Sequence, residues 1–173
     1  PETRRALQDS ENRVISMAVV HEYLSRAERQ AINIRDVALR IIQETERGVL
    51  SEEKLIRVSL ASDNNLYLPA KHATACALVI NELLMNAIEH AYVNRDSGEI
   101  TVLLEDRGDE VYLAVRDDGE GLPPDFDLAQ MDSLGLNIVK TLAENDLQGT
   151  FVLESEQGTT ATVRFSKKVW EDE

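Results

Sequence analysis

"NELLMNAIEHAY", residues 81–92, decides how this chain is read. Leu83, Leu84, Ala87 and Ile88, preceded by Leu78, Val79 and Ile80, suit a buried helix. Glu82, Asn86 and His90 recur at four-residue steps and so share one face, with Glu89 beside them. Taken alone, such a polar stripe is a solvated edge on an amphipathic helix. The glycines downstream give it another meaning.

The 173 residues are enough for one well-buried domain with a short accessory element. Hydrophobic residues make up 43% and charged residues 29%, the balance of a soluble globular protein. Aromatics are only 5%, so the core is expected to be aliphatic. No apolar run approaches the ~20 residues of a membrane span. No signal-peptide pattern opens the chain, so a cytoplasmic domain without direct membrane contact is expected. The first residue is Pro1, which suggests an excised or processed piece. Cys76 is the single cysteine and lies in an apolar run, which predicts a buried thiol in a reducing compartment.

The net charge of −14 is unevenly spread. Residues 1–50 balance 8 acids with 8 bases, leaving 24 acids against 10 bases over 51–173. Such a surface repels nucleic acid, which needs clustered Lys and Arg. A bound phosphate would rest on backbone amides, a helix N-terminus or a metal ion.

Periodicity predicts a helix over 3–26, a polar connector at 29–33 and a second helix over 34–47 capped by Asn33. "KLIRVSLAS" (54–62) reads as a strand, and Pro69 sets up a long helix over 70–92. "EITVLLED" and "EVYLAVRD" alternate around the turn "RGD", and "GTFVLES" and "TTATVRFS" form a last hairpin. Between the hairpins lie an acidic stretch and a helix over 133–145. The expected class is α+β, a two-layer α/β sandwich with helices on one face of a sheet.

Four pieces then fall in order: the 82–90 stripe, "DDGEGLP" with Gly119 and Gly121, "SLGLNIV" with Gly135 at a helix start, and "GTT" at 158–160. Together they resemble the N, G1, G2 and terminal Gly-Thr boxes of the GHKL ATPase superfamily, which contains gyrase, histidine kinases and the MutL proteins. The likeness covers about residues 34–167. "ALQDSENRVISMAVVHEYL" further resembles the second dimerisation helix of sensor histidine kinases whose acceptor motif reads His-Arg-Val-Lys-Asn.

The resemblance implies a Bergerat-type ATP-binding fold on a mixed sheet, preceded by a partial dimerisation hairpin. Residues 1–28 would be its second helix, 29–33 a connector, 34–168 the catalytic domain and 169–173 a tail. It implies ATP and Mg²⁺, with Asn86 as magnesium ligand and Glu82 as the catalytic polarising group. Asp117 would receive the adenine amine. Gly119 and Gly121 would make room for the base, and Leu134, Gly135 and Leu136 would offer amides to the phosphates. Thr159 or Thr160 would place a hydroxyl near the adenine, and His90 a hydrogen bond near the phosphates. Residues 122–132 would be a short lid anchored by Phe126 and Leu128. Implied partners are a second copy through the N-terminal helix and a response regulator.

Two positions depart from the family pattern. Glu89 stands where Lys is common, and Asp118 where Asn is common, adding negative charge near the nucleotide. The acceptor motif itself is missing. His21 in "HEYLS" is the obvious substitute, but it lacks the Pro that follows such a box and its surroundings fit the second hairpin helix better, so the acceptor is expected outside this stretch; His72 is expected on the surface. Alternative readings are an anti-sigma-type serine kinase or partner-switching module, and a non-catalytic nucleotide-binding scaffold.

Overall fold

A computed structural model describes residues 18, 31–48, 55–62, 64–126 and 133–168. The helix expected over 3–26 lies outside them except for Ala18, and so do His21, Leu128 and the tail.

The elements run β1 (Ile32–Asn33), α1 (Ile34–Gly48), β2 (Leu55–Ser62), β3 (Tyr67–Leu68), α2 (Ala70–His90), β4 (Ser97–Asp106), β5 (Glu110–Asp117), α3 (Leu134–Thr141), β6 (Thr150–Glu154) and β7 (Thr160–Ser166). A five-stranded sheet has the order β2-β4-β5-β7-β6. β2 and β4 are parallel because α2 makes the crossover between them, while the other pairs are antiparallel. This is the α+β layering expected, on a mixed sheet.

Strand alternation sets the inner face. Ile100, Val102 and Leu104 of β4 are buried, as are Val111, Leu113 and Val115 of β5 and Ala161, Val163 and Phe165 of β7. They meet Val79, Ile80, Leu83 and Leu84 of α2 in one core cluster, joined by Val37, Ala38 and Ile41 of α1. Cys76 is buried among them, as expected.

Three local features differ from expectation. Ile32 and Asn33, assigned to the connector, pair antiparallel with Tyr67 and Leu68. The pair is driven by two apolar side chains, since Ile32 and Leu68 are both buried. His72, expected on the surface, is 1% exposed. It lies one turn before buried Cys76 on α2, and so on the inward side of that helix. The last helix does not run evenly to 145. It passes at Leu142 into a wider turn, where Leu147 N–H bonds the Leu142 carbonyl five residues back.

Asn33 does cap α1: its Oδ1 accepts the Arg35 N–H at 3.2 Å. The long helix α2 ends at His90, two residues short of expectation.

Candidate functional site

The stripe on α2 is not a solvated edge. Glu82 is 0% exposed, Asn86 is half-buried and only His90 is exposed. From Leu83 onward, one side of α2 forms a wall of a cavity of about 500 Å³. Across from it stand the end of β5, the turn after it, and the starts of α3 and β7.

Asp117 ends β5 at this cavity and is buried. Its Oδ1 accepts the N–H of Gly119 at 2.9 Å and of Thr159 at 3.2 Å. Its own N–H donates to the Thr159 carbonyl at 2.9 Å. Burial pushes its carboxyl pKa above the ordinary range, and the two amide bonds work against that push. With Oδ1 engaged, Oδ2 is the acceptor left for a ligand N–H.

The turn after Asp117 can approach α2 only because residue 119 is glycine. A Cβ there would fall 2.2 Å from the Ala91 carbonyl oxygen. The close approach lets Glu120 N–H bond that same carbonyl at 3.0 Å. Glu120 also accepts the Asn94 N–H at 2.8 Å.

Of the residues singled out from sequence, Asn86, His90, Asp117, Gly121, Leu136 and Thr159 line the cavity together. Glu82, Gly119, Leu134, Gly135 and Thr160 are not among the lining residues. Glu82 is enclosed on α2, Gly119 is the packing contact just described, and Gly135 is buried in α3. Leu134 is 71% exposed, and Thr160 is paired with Arg116 and Glu154 in the sheet. Leu122, Pro123 and Phe126, in the segment expected to form a lid, line the cavity; residues 127–132 lie outside the described set.

Sequence reasoning missed the apolar wall of Leu83, Ala87, Ala91, Val115, Leu153 and Ala161. Alternation marks these as core, and nothing in the sequence separates a core side chain from one facing an apolar cavity. Such a wall suits a flat aromatic ring.

The two departures from the family pattern adjoin residues of the cavity, Glu89 beside His90 and Asp118 beside Asp117. Neither Glu89 nor Asp118 lines it. Glu89 Oε2 lies 3.9 Å from His90 Nε2. Asp118 Oδ1 accepts the Glu99 N–H at 2.8 Å and the Tyr92 hydroxyl at 2.9 Å. Asp118 thus does not line the cavity, its carboxylate being engaged by Tyr92 and Glu99, while its charge still acts on neighbouring Asp117 and helps raise that carboxyl's pKa.

The residues fit a nucleotide with a divalent cation. Asn86 Nδ2 is buried without a hydrogen-bond partner among the described residues, an unmet donor beside the cavity that suits an acceptor such as a phosphate oxygen. Ser133 precedes α3 with no side-chain cap, so the helix start is open to an anion. No group of three or more His, Cys, Asp or Glu side chains is placed for metal binding among the described residues. A hard cation here would take most ligands from phosphate oxygens and water, with the Asn86 amide oxygen as a protein ligand.

Comparison with known proteins bears on the nucleotide, not on the cation. The family model described as "Histidine kinase-, DNA gyrase B-, and HSP90-like ATPase" matches residues 71–169. A second model, described as "Histidine kinase", matches residues 1–47. Sensor histidine kinase PdtaS of Mycobacterium tuberculosis is 38% identical over 166 residues, which is 94% of this chain and 33% of that protein. The chain thus spans about a third of the length of the curated relatives it matches. Among solved structures, the histidine kinase domain of the Erythrobacter litoralis EL346 blue-light activated histidine kinase superposes with a TM-score of 0.75 at 22% identity, covering 95% of this chain and 77% of that one. Histidine kinase ThkA, in complex with response regulator protein TrrA, gives 0.66 at 22% identity, covering 87% of this chain and 46% of that one. With its boxes in order, its fold matched and its cavity walled by them, the chain belongs to the histidine kinase-, DNA gyrase B- and HSP90-like ATPase family.

Proposed function

We propose that this chain is the ATP-binding catalytic domain of a two-component sensor histidine kinase. It would pass the γ-phosphate of Mg-ATP to a histidine, for relay to an aspartate of a response regulator. The observation that carries the reading is the Asp117 carboxylate, buried and with Oδ1 held by two amides at the edge of an apolar cavity. That arrangement suits an adenine, whose exocyclic amine donates to Oδ2 while the ring lies against Val115, Ala161 and Leu153.

On this reading Asn86 holds the cation, and the start of α3 with Ser133 and Leu136 faces the phosphates. His90, exposed on the cavity one turn after Asn86, would offer a hydrogen bond near the phosphates. Mg²⁺, when bound, would neutralise phosphate charge, which matters in a chain with a net charge of −14. Glu82, for which the resemblance implies the polarising role, lies one turn before Asn86 but is enclosed on α2 and off the cavity lining, so in this geometry it would act on the site only through its neighbours. Phosphoryl transfer asks mainly for positioning, which a rigid β5–turn–α2 frame supplies.

The N-terminal helix would pair two copies and the response regulator would dock as partner, in the cytoplasm. Support comes from the histidine kinase model over residues 1–47 and from the named relatives. Among the described residues no helix is long and apolar enough to cross a membrane.

Titration with ATP, with and without magnesium, tests the site. Magnesium should tighten binding to the wild-type chain and do little for Asn86→Ala. Equal magnesium dependence in both would contradict the assignment of Asn86. Adding γ-labelled ATP and a histidine-bearing dimerisation helix should label that histidine in an acid-labile, base-stable form. Label on a partner serine instead would favour the serine-kinase alternative.

A further inference from the structure

Tyr92 is 0% exposed, although residues 93–97 that follow it are all exposed. Its ring lies on the backbone of Gly98, where a Cβ would fall 2.0 Å from Tyr92 Cε1. Filling that space needs only a ring, and phenylalanine would do it. The hydroxyl has a separate task. Its single proton is shared between two acceptors, Asp118 Oδ1 at 2.9 Å and the Glu99 carbonyl at 2.8 Å. Asp118 Oδ1 also accepts the Glu99 N–H, and Asp118 N–H bonds the Glu99 carbonyl at 3.2 Å. Arg95 reaches the Asp118 carbonyl through NH1 and stands 3.9 Å from its carboxylate through NH2.

Three elements meet at this point: the end of α2, the first residues of β4, and the turn after β5. Asp117 is held within its own turn and to Thr159; the far half of the turn is held to the residues that end α2 by Glu120 on Ala91 and Asn94, and its near half, at Asp118, by Tyr92. The cavity lies between α2, which carries Asn86, and the turn, which follows Asp117. Whatever fixes the turn on α2 sets the span between the metal end and the base end of the site.

We propose that Tyr92 and Asp118 form a positioning latch that holds the Asp117 carboxylate at the right distance from α2 for an adenine amine, and so tune base selectivity. The inference rests on the nucleotide reading above. Neither residue touches the ligand. Asp118 is the anchor because one side-chain oxygen accepts both the Tyr92 hydroxyl and the Glu99 amide.

The test compares ATP with inosine triphosphate, which carries a carbonyl where adenine has its amine. Binding is measured with magnesium on the wild-type chain, Tyr92→Phe, Asp118→Ala and Asp118→Asn. Wild type should prefer ATP. Tyr92→Phe should weaken ATP by about three- to tenfold, the weight of one hydrogen bond, and leave inosine triphosphate unchanged. Asp118→Ala should do the same, and it carries the comparison if Tyr92→Phe fails to fold by circular dichroism. Asp118→Asn keeps an oxygen acceptor and should stay within about twofold of wild type. Unchanged ATP affinity in Tyr92→Phe, or equal losses for both nucleotides, overturns the latch. A wild-type chain with no preference between the nucleotides overturns the adenine reading itself, and the latch with it.

Discussion

Asp117 lies 5% exposed at the end of β5 with its carboxyl on the cavity, whereas Asp118, one residue later, turns outward to Tyr92 and Glu99. The chemistry of the two side chains is identical, and their surroundings push them in opposite directions. Burial raises the Asp117 pKa despite its two amide donors. The Glu99 amide, with help from the Tyr92 hydroxyl and Arg95, lowers that of Asp118. Asp118 is thus an ionised anchor that the fold favours. Asp117 is a carboxylate whose charge burial opposes, at the edge of the cavity.

The largest effect that would sharpen this contrast is loss of the ligand acceptor. Asp117→Ala should weaken ATP by about ten- to a hundredfold, the range for a hydrogen bond to a charged group, as read by calorimetry. A loss equally large in Asp118→Ala would erase the distinction. Next comes the close approach that sets both residues in place. Gly119→Ala forces a Cβ to within 2.2 Å of the Ala91 carbonyl oxygen and should lower stability by about 1–3 kcal/mol in denaturant titration. Unchanged stability would show that the turn need not sit on α2.

The pH dependence separates the two aspartates in sign. A raised pKa means that the native chain binds the Asp117 proton more tightly than the unfolded chain does. Its stabilising share is therefore full below the unfolded value of about 4 and is lost as pH rises through the shifted pKa. Asp117→Asn should then be more stable than wild type at neutral pH, with the gain shrinking as pH falls. Asp118 behaves oppositely. Its share is present above about pH 4 and is lost as pH falls through its lowered pKa. Asp118→Asn should be slightly less stable than wild type at neutral pH and equal to it in acid. Because Asp118 is half-exposed, this is the smallest of the effects. Parallel stability–pH curves for the two variants would break the comparison.

Legibility in the sequence followed the same division. Strand alternation at 100–104 and 111–115, together with the apolar run of α2, gave the sheet, the helix layer and the inner face. The order of the boxes pointed to Asn86, His90, Asp117 and Gly121, which the fold brings to one cavity. Properties that depend on side-chain direction were not legible. Period 2 assigns Asp117 to the buried face of β5, but no period governs the turn that follows, so the engagement of Asp118 by Tyr92 and Glu99 was not legible. His72 was read by residue type as surface, although its helical position next to Cys76 is inward. The β1–β3 pair is two residues long and carries no alternation to detect. The apolar wall looked like core because, without a ligand, it has the chemistry of core.

The central claim is that an adenine nucleotide sits between α2 and the Asp117 turn. A crystal structure of this chain with magnesium and a non-hydrolysable ATP analogue tests it most directly. The account predicts the base against Val115 and Ala161, its amine within hydrogen-bond distance of Asp117 Oδ2, and the cation beside Asn86. An analogue bound elsewhere, or a base amine turned away from Asp117, would contradict it.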